Sequence, residues 1–511
     1  MTDSLPPGNP TLTNKQSTEV RKSPSIVLRS PANREFVYLF VVVLILGFGM
    51  AWLSAFSSHP DELSHVKAAD YYAHHWLPPR VGDPEARDSY SLQGFSYLDE
   101  ADVVYFFAGK FGALLTAAGM QGYHAYRLIN LLLFVGLIIV WLRREDSRLA
   151  FSLLLISPQI WYVFSYFNAD AFPLFLSLLI AHQLASVDSL FNRYLSADSV
   201  TGHYRGALLM GLLVGLLLLS KRNYYVFLLF VPFYLVLVRL GLAATAMLFI
   251  AAGVIVMDTF ITPLPRWMYL ATVAITVVYA WQRWQRETNR RSIAVWAVRL
   301  LAVAALAAAI AVPRYTLDLI RYGSFQAKND ARLMYAEQIT DDQFKPSKLG
   351  IPGESYYGSR LKAKGVSYIE IFLPPWNWLL VSAATSVGIY GYMSVQSPTG
   401  YYLIMLLALV AMLYYVSRKL IREGGPEARR LLGLVGVFSL AMIFLSSYHS
   451  WINDFQAQGR YLFPILGMLA VAVGRYSSLF NTQLYGGFVV VLFLLSIFSF
   501  VFTGLAHIPK A

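Results

Sequence analysis

The chain has 511 residues, of which 57% are hydrophobic and 14% charged, with a mean hydropathy of +0.51. Soluble domains carry about 25% charged residues, so a water-surrounded globule is excluded and an all-α polytopic membrane protein is indicated. The formal charge of +12 does not call for a nucleic-acid partner, because Lys and Arg cluster in short loops between apolar runs; membrane lipids with anionic or phosphate headgroups are the natural counter-ions. With no cysteine in the chain, disulfides, thiol nucleophiles and thiolate metal sites are removed from consideration.

In chain order, residues 1–34 are polar and rich in Ser, Thr and Pro, lack a cleavable signal, and read as a disordered cytoplasmic tail. Residues 35–511 read as a single transmembrane domain. A membrane-crossing helix needs about 20 apolar residues, and spans are predicted near 36–56, 124–142, 149–165, 171–187, 206–221, 224–240, 242–258, 267–283, 296–313, 399–417, 431–448, 460–474 and 484–504. That makes about thirteen. With the N-terminus cytoplasmic, the basic loops "RREDSR" (143–148), "QRWQRETNRR" (282–291) and "RKLIREGGPEARR" (418–430) fall on one side, as the positive-inside rule requires.

Two long loops, 57–123 and 314–398, then lie on the outer side. The first holds "DVVYFFAGKFGALLTAAGM" (102–120), which fits an amphipathic helix lying in the interface with Lys110 facing water. Asp99, Glu100 and Asp102 precede that helix, where they fit its amino-terminal cap. The second opens with a mixed-charge helical stretch. Its apolar segment 371–393 contains Pro374-Pro375 and scattered Gly and Ser, and reads as re-entrant or interfacial rather than spanning. Both loops are rich in aromatic residues, among them Tyr356, Tyr357, Trp376 and Trp378. Such rings suit either an interfacial belt or stacking against sugars.

Polar residues gather at the outer ends of distant spans. Asp61, Glu62 and His65 follow the first span, Arg127 and Asn130 open the second, and Asn168 and Asp170 sit in "SYFNAD" between the third and fourth. Lys221 and Arg222 fill the short connection in "LLLLSKRNYYVF", and Gln458, Arg460 and Tyr461 lie in "FQAQGRYLFP". Each alone fits an interfacial anchor. As a set they place carboxylates and cations at the depth of a lipid phosphate, where a carboxylate can take a proton from a hydroxyl and cations can receive a departing phosphate.

The motifs "HPDELSH" and "QAQGRYLFP", with "SPQIWYVFSYFNAD" and "SVGIYGYM" between them, resemble the Pro-Asp-Glu…His and Gln-Gly-Arg-Tyr signatures of a bacterial membrane-protein family of unknown function that is similar to the GT-C glycosyltransferases. The resemblance implies a GT-C-like helical bundle in a bacterial inner membrane with its active face periplasmic. It also implies an inverting transferase that takes a sugar from a polyprenyl-phosphate donor to a glycan or lipid acceptor. On that pattern Asp61 is the catalytic base with Glu62 and His65 in support, and Arg460 binds phosphate. Substrate contacts are expected from Lys221, Arg222, Tyr461, Arg127, Asn168, Asp170 and Gln458. Asp61 and Glu62 could hold a Mg²⁺ or Mn²⁺ through oxygen ligands, whereas the six-residue spacing of His59 and His65 does not suit zinc. The competing reading is a transporter or flippase of lipid-linked saccharides; it would put charge deep inside spans, yet Arg299 and His182 lie toward span ends.

Overall fold

The computed structural model of the protein describes residues 31–120, 122–144, 148–197, 203–260, 265–286 and 290–511. The predicted tail lies outside them up to residue 30, as do the centres of the 143–148 and 282–291 basic loops. Helix α1 (Pro31–Leu53) already begins within the stretch assigned to the tail. It is followed by α2 (Glu62–His74), α3 (Val104–Ala117) and α4 (His124–Arg143). The next group is α5 (Arg148–Phe151), α6 (Pro158–Ser165), α7 (Ala171–Ala185), α8 (Leu190–Ser196) and α9 (Arg205–Leu218). Then come α10 (Tyr225–Leu240), α11 (Leu242–Phe260), α12 (Arg266–Arg286), α13 (Arg290–Tyr322) and α14 (Phe325–Ile339). The carboxyl-terminal part is α15 (Trp378–Thr385), α16 (Thr399–Glu423), α17 (Gly425–Ile452), α18 (Pro464–Arg475), α19 (Ser477–Phe480) and α20 (Gln483–Phe498).

Every segment predicted to span contains helix, but not every one is a straight crossing. Among the described residues 7 helices are long and apolar enough to cross a membrane, or up to 9 if each bent pair counts as one span. The predicted 149–165 span is bent by 84°. The break has a local cause: Ser157 caps a new helix by accepting from the Gln159 N–H, and Pro158 sits in its first turn. At 12 residues, or about 18 Å, α18 is too short for a hydrocarbon layer of about 30 Å.

The core is built around α6 and α7. All residues of α6 and most of α7 are buried, so both are enclosed by protein on every side. The long α13, 33 residues or about 50 Å, runs without interruption through Pro313 and outlasts the bilayer. It lies against α9 at Gly211 and Gly215, where a Cβ would stand 2.6 Å from Leu306 and 2.8 Å from Ile310. This small-x-x-x-small spacing lets two helices approach closely. Arg299 on α13, near a span end, does not reach out to solvent. It is buried and donates to the Leu195 and Ala197 carbonyls at 2.8 and 2.6 Å, closing the end of α8.

The outer segments also differ from expectation. Lys110 of α3 is partly exposed; its ammonium lies 4.2 Å from the centre of the exposed Trp76 ring and reaches the Ala73 carbonyl at the end of α2. Asp99 and Glu100 do not cap α3. They meet Arg332, and Glu100 also binds Arg222, forming ion pairs that fasten the first outer loop to α14 and to the α9–α10 turn. Segment 371–393 holds the short α15 and the first strand of a hairpin, Ile389–Tyr390, which pairs antiparallel with Val395–Gln396 just beyond it. A second, smaller hydrophobic cluster of Leu361, Ile371, Trp378 and Ala457 supports this part of the second outer loop.

Candidate functional site

Asp61 stands at the amino end of α2 with φ 58° and ψ 10°, a left-handed conformation that Asp adopts more readily than most residues. Buried anchors on both sides hold it there. On one side Glu62 is fully buried and receives Arg127 through two parallel bonds, Nε to Oε1 at 2.6 Å and Nη2 to Oε2 at 2.7 Å. The other Arg127 protons go to the carbonyls of Ala51, Ser54 and Ala55 at the end of α1, and to Ser54 Oγ. Every donor of the guanidinium is therefore used.

On the other side, His59 is buried between Ser54 and Tyr162. Ser54 Oγ gives its proton to the Met50 carbonyl, so His59 Nε2 is the donor in its 2.7 Å contact with that oxygen. Nδ1 then accepts from Tyr162 OH at 2.8 Å, and the Tyr162 oxygen accepts the Gly391 N–H from the hairpin. Donor and acceptor counts thus assign the tautomer. Burial, with Arg127 adding to it, holds His59 well below the ordinary imidazole value, so the ring is neutral. Fixed by these two side chains, the Asp61 carboxylate is left 44% exposed.

Facing it is Arg460. Its position depends on Gly459, where a Cβ would come within 2.5 Å of the Ser386 backbone, and on the Gly459 N–H donating to Thr385 Oγ1 at 2.8 Å. The Arg460 guanidinium is buried, 3.6 Å from Asp61 Oδ2 and 3.5 Å from Asp170 Oδ2, with Nη1 donating to Tyr166 OH at 3.2 Å. Its Nε is buried without a hydrogen-bond partner. Asp170 binds the Lys221 ammonium at 2.6 Å through its other oxygen. Tyr461 lies beside both cations, its ring centre 4.8 Å from Lys221 Nζ and 5.5 Å from the Arg460 guanidinium carbon. Its hydroxyl donates to Gln456. Chain segments around 61, 166–170, 221 and 460 thus meet in one alternating array of two acids and two cations.

Other residues predicted for the site have different positions. Glu62 and Arg127 satisfy each other in a closed buried pair. Arg222 is 74% exposed and paired with Glu100. Asn168 caps α7, accepting from the Asp170 and Ala171 N–H groups while donating to the Val163 and Tyr166 carbonyls. Asn130 donates to the Tyr166 carbonyl at 2.7 Å, so the buried irregular stretch 166–170 has its backbone satisfied from within. Gln458 contributes backbone contacts ahead of the Gly459–Leu462 turn.

His65 is buried, stacked 4.2 Å from Tyr97, with Nδ1 2.7 Å from Tyr105 OH. Burial and the charges of Lys221 and Arg460 hold it well below the usual imidazole range, which makes it a neutral wall of the site. Among the described residues no group of three or more His, Asp or Glu is placed to hold a metal ion, and with Glu62 committed to Arg127 the pair considered for Mg²⁺ or Mn²⁺ is broken up.

Three site neighbours were missed by sequence reasoning. Tyr166 sits in an apolar run with nothing to mark it. His59 stood in the acidic motif but was weighed only as a metal ligand. Asp102 was read as a cap; burial, the leading cause, pushes its carboxyl up to about 8 against the opposing pull of Lys221, and its Oδ1 is buried without a partner.

No family model matches the chain, and no curated protein matches it. A solved structure that resembles it is the crystal structure of ArnT from Cupriavidus metallidurans bound to undecaprenyl phosphate, at 12% sequence identity and a TM-score of 0.44. The match covers 90% of this chain, which spans 62% of that one.

Proposed function

We propose that this protein transfers a sugar, with inversion, from a polyprenyl-phosphate carrier to a hydroxyl of a glycan or lipid acceptor at the membrane face bearing Asp61. The observation that carries the reading is Arg460: a buried guanidinium with an unpartnered Nε, standing between a half-exposed carboxylate and a buried one. That nitrogen, together with Lys221 beside it, supplies donors that a phosphate can take up. The donor class follows from the likeness of "HPDELSH" and "QAQGRYLFP" to the GT-C-like signatures, and a GT-C-like arrangement of the bundle belongs to the same proposal.

In this reading Asp61 accepts the proton of the acceptor hydroxyl as its oxygen bonds to the anomeric carbon. The bond from that carbon to the phosphate oxygen breaks on the opposite side, and polyprenyl phosphate departs with the electron pair. The charge that develops on the leaving phosphate is met by buried Arg460 and partly buried Lys221, preorganised cations that act more strongly than free ones in solution. Asp170 offsets the two cations while the site is empty and fixes their separation. Neutral His65 and His59 add no charge that would compete with the phosphate.

The test is incubation of the purified protein with a panel of polyprenyl-phosphate sugars and candidate acceptors, measuring carrier consumption. Wild type should consume at least one donor, and Asp61→Asn should bind it without consuming it. Turnover retained in Asp61→Asn would reject the base. A flippase would move labelled carrier across vesicles while leaving it chemically intact.

A further inference from the structure

Apart from the acid–cation array, the second outer loop builds an aromatic surface that the transfer chemistry does not use. Tyr357 is 69% exposed and lies parallel to Trp376, with ring centres 6.1 Å apart and 18° between planes. Trp376 in turn meets Phe455 at 5.0 Å, and Tyr356 lies 4.6 Å from Tyr357.

The platform is held by backbone bonds. Phe455 N donates to the Gly358 carbonyl and Arg360 N to that of Asn453, so the strand-like segments 358–360 and 453–455 are paired. Lys364 Nζ donates to the carbonyls of Tyr356 and Tyr357 and closes the turn between them.

What covers such a surface is indicated by its surroundings. Residues 341–370 contain nine charged side chains in thirty, Asp341, Lys345, Glu354, Arg360 and Lys364 among them, a density that hydrocarbon does not tolerate. Tyr357, inside that stretch, therefore faces water or headgroups, where large, rigid, polar-tipped aromatics provide apolar contact at low entropic cost. A pyranose ring has the matching form: one apolar C–H face to lie on an aromatic plane, and a rim of hydroxyls for the charged groups around it.

The platform is also linked to the array through the chain. Phe455 is followed by Gln456, which accepts the hydroxyl of Tyr461, and the Tyr461 ring lies beside Lys221 and Arg460. The platform is thus tied, through Gln456 and Tyr461, to the segment that carries Arg460.

We infer that Tyr357 and Trp376 form the acceptor subsite, and that the acceptor is a carbohydrate rather than a lipid headgroup. The inference rests on the transferase reading for the word acceptor, but the binding it asserts is separable from catalysis. The experiment uses the full chain in nanodiscs and a panel of neutral and N-acetylated pyranose oligosaccharides. Their binding is followed by the difference in tryptophan fluorescence between wild type and Trp376→Phe, which isolates one indole. At least one oligosaccharide should change that difference signal. Tyr357→Ala, a change at an exposed ring, should weaken the binding about tenfold, the equivalent of about 1.4 kcal/mol.

In a turnover assay the same variant should raise the acceptor KM by a similar factor, with kcat and donor-lipid affinity unchanged. Absence of binding by every oligosaccharide, or equal binding by Tyr357→Ala and Trp376→Ala, overturns the subsite. Quenching of the Trp376 difference signal by acyl-chain-brominated phospholipid also overturns it, since that places the ring in lipid. If oligosaccharide binds and depends on Tyr357 while Asp61→Asn transfers like wild type, the subsite stands and the assignment of Asp61 as base falls.

Discussion

Asp61 and Glu62 are adjacent in the chain, and each faces an arginine, yet they occupy opposite physical regimes. Glu62 and Arg127 form two short bonds with no exposed surface, and every remaining donor of that arginine is used by the end of α1. Asp61 and Arg460 stand 3.6 Å apart, beyond hydrogen-bond length, with the carboxylate half open to solvent and one guanidinium nitrogen unpartnered. The first pair is closed and contributes to holding α1, α2 and α4 together. The second has capacity left for a ligand. Short ionic contacts by themselves therefore do not locate a reactive centre; incomplete satisfaction beside partial exposure is the better guide.

The comparison can be broken most directly at the two acids. Asp61→Asn should reduce kcat by about 10²–10⁴-fold, the range for loss of a general base, with an unchanged melting temperature; carrier consumption and a thermal scan measure the two sides. Glu62→Gln should do the reverse, lowering stability by about 3–5 kcal/mol because a buried guanidinium loses its counter-charge. The surviving folded fraction should keep its donor affinity, which a lipid-binding assay on the monodisperse material would establish.

The two neighbouring cations sharpen it further. Lys221→Gln should weaken donor-lipid binding by about 10–100-fold, as expected for a lost charge-assisted hydrogen bond. Histidine burial has a smaller effect, with a defined sign. His65 in the folded protein stays neutral below 6.5, whereas in the unfolded chain it takes up a proton there. The unfolded state then binds more protons, so this residue's contribution to stability is lost as pH falls below about 6.5. Asp102, pushed up to about 8, acts in the opposite direction, its contribution being lost as pH rises toward that value. The diagnostic measurement is accordingly the difference between wild type and His65→Gln melting curves, which should change across about pH 6.5 and be flat if His65 titrates normally. Smallest of all, Arg222→Gln should change donor affinity by no more than about twofold, because exposed pairs contribute at most about 1 kcal/mol and this one engages Glu100 rather than the site.

Much of the helical layout was legible because hydropathy is a local property. Each of the thirteen apolar runs contains helix, and the Pro374-Pro375 segment is not a straight crossing. What length and hydropathy missed was continuity. Ser157-Pro158 breaks one run with a cap and a proline inside an apolar stretch, whereas α13 continues straight through Pro313. The candidate site was partly legible for a similar reason: Asp61, Asp170, Lys221, Arg460 and Tyr461 are polar residues at the ends of apolar runs, where they stand out. Arg127, Asn168 and Glu62 stand out equally, but they serve the backbone and one another. No sequence pattern separates a donor used by a helix end from one left free.

By itself, then, the sequence determined that the chain is helical and membrane-embedded, that several ionisable groups stand at the ends of its apolar runs, and that Gly459 precedes an arginine near a span. Burial cost and helix periodicity act over a few turns of chain, and local composition is enough to specify them. Which of two adjacent acids is neutralised, that Arg222 turns away while Lys221 turns in, and that Tyr357 comes to lie over Trp376 were decided only by the tertiary structure. Those outcomes depend on distances between segments tens to hundreds of residues apart, and a hydrogen-bond donor is spent or spare according to which carbonyls the packing brings to it.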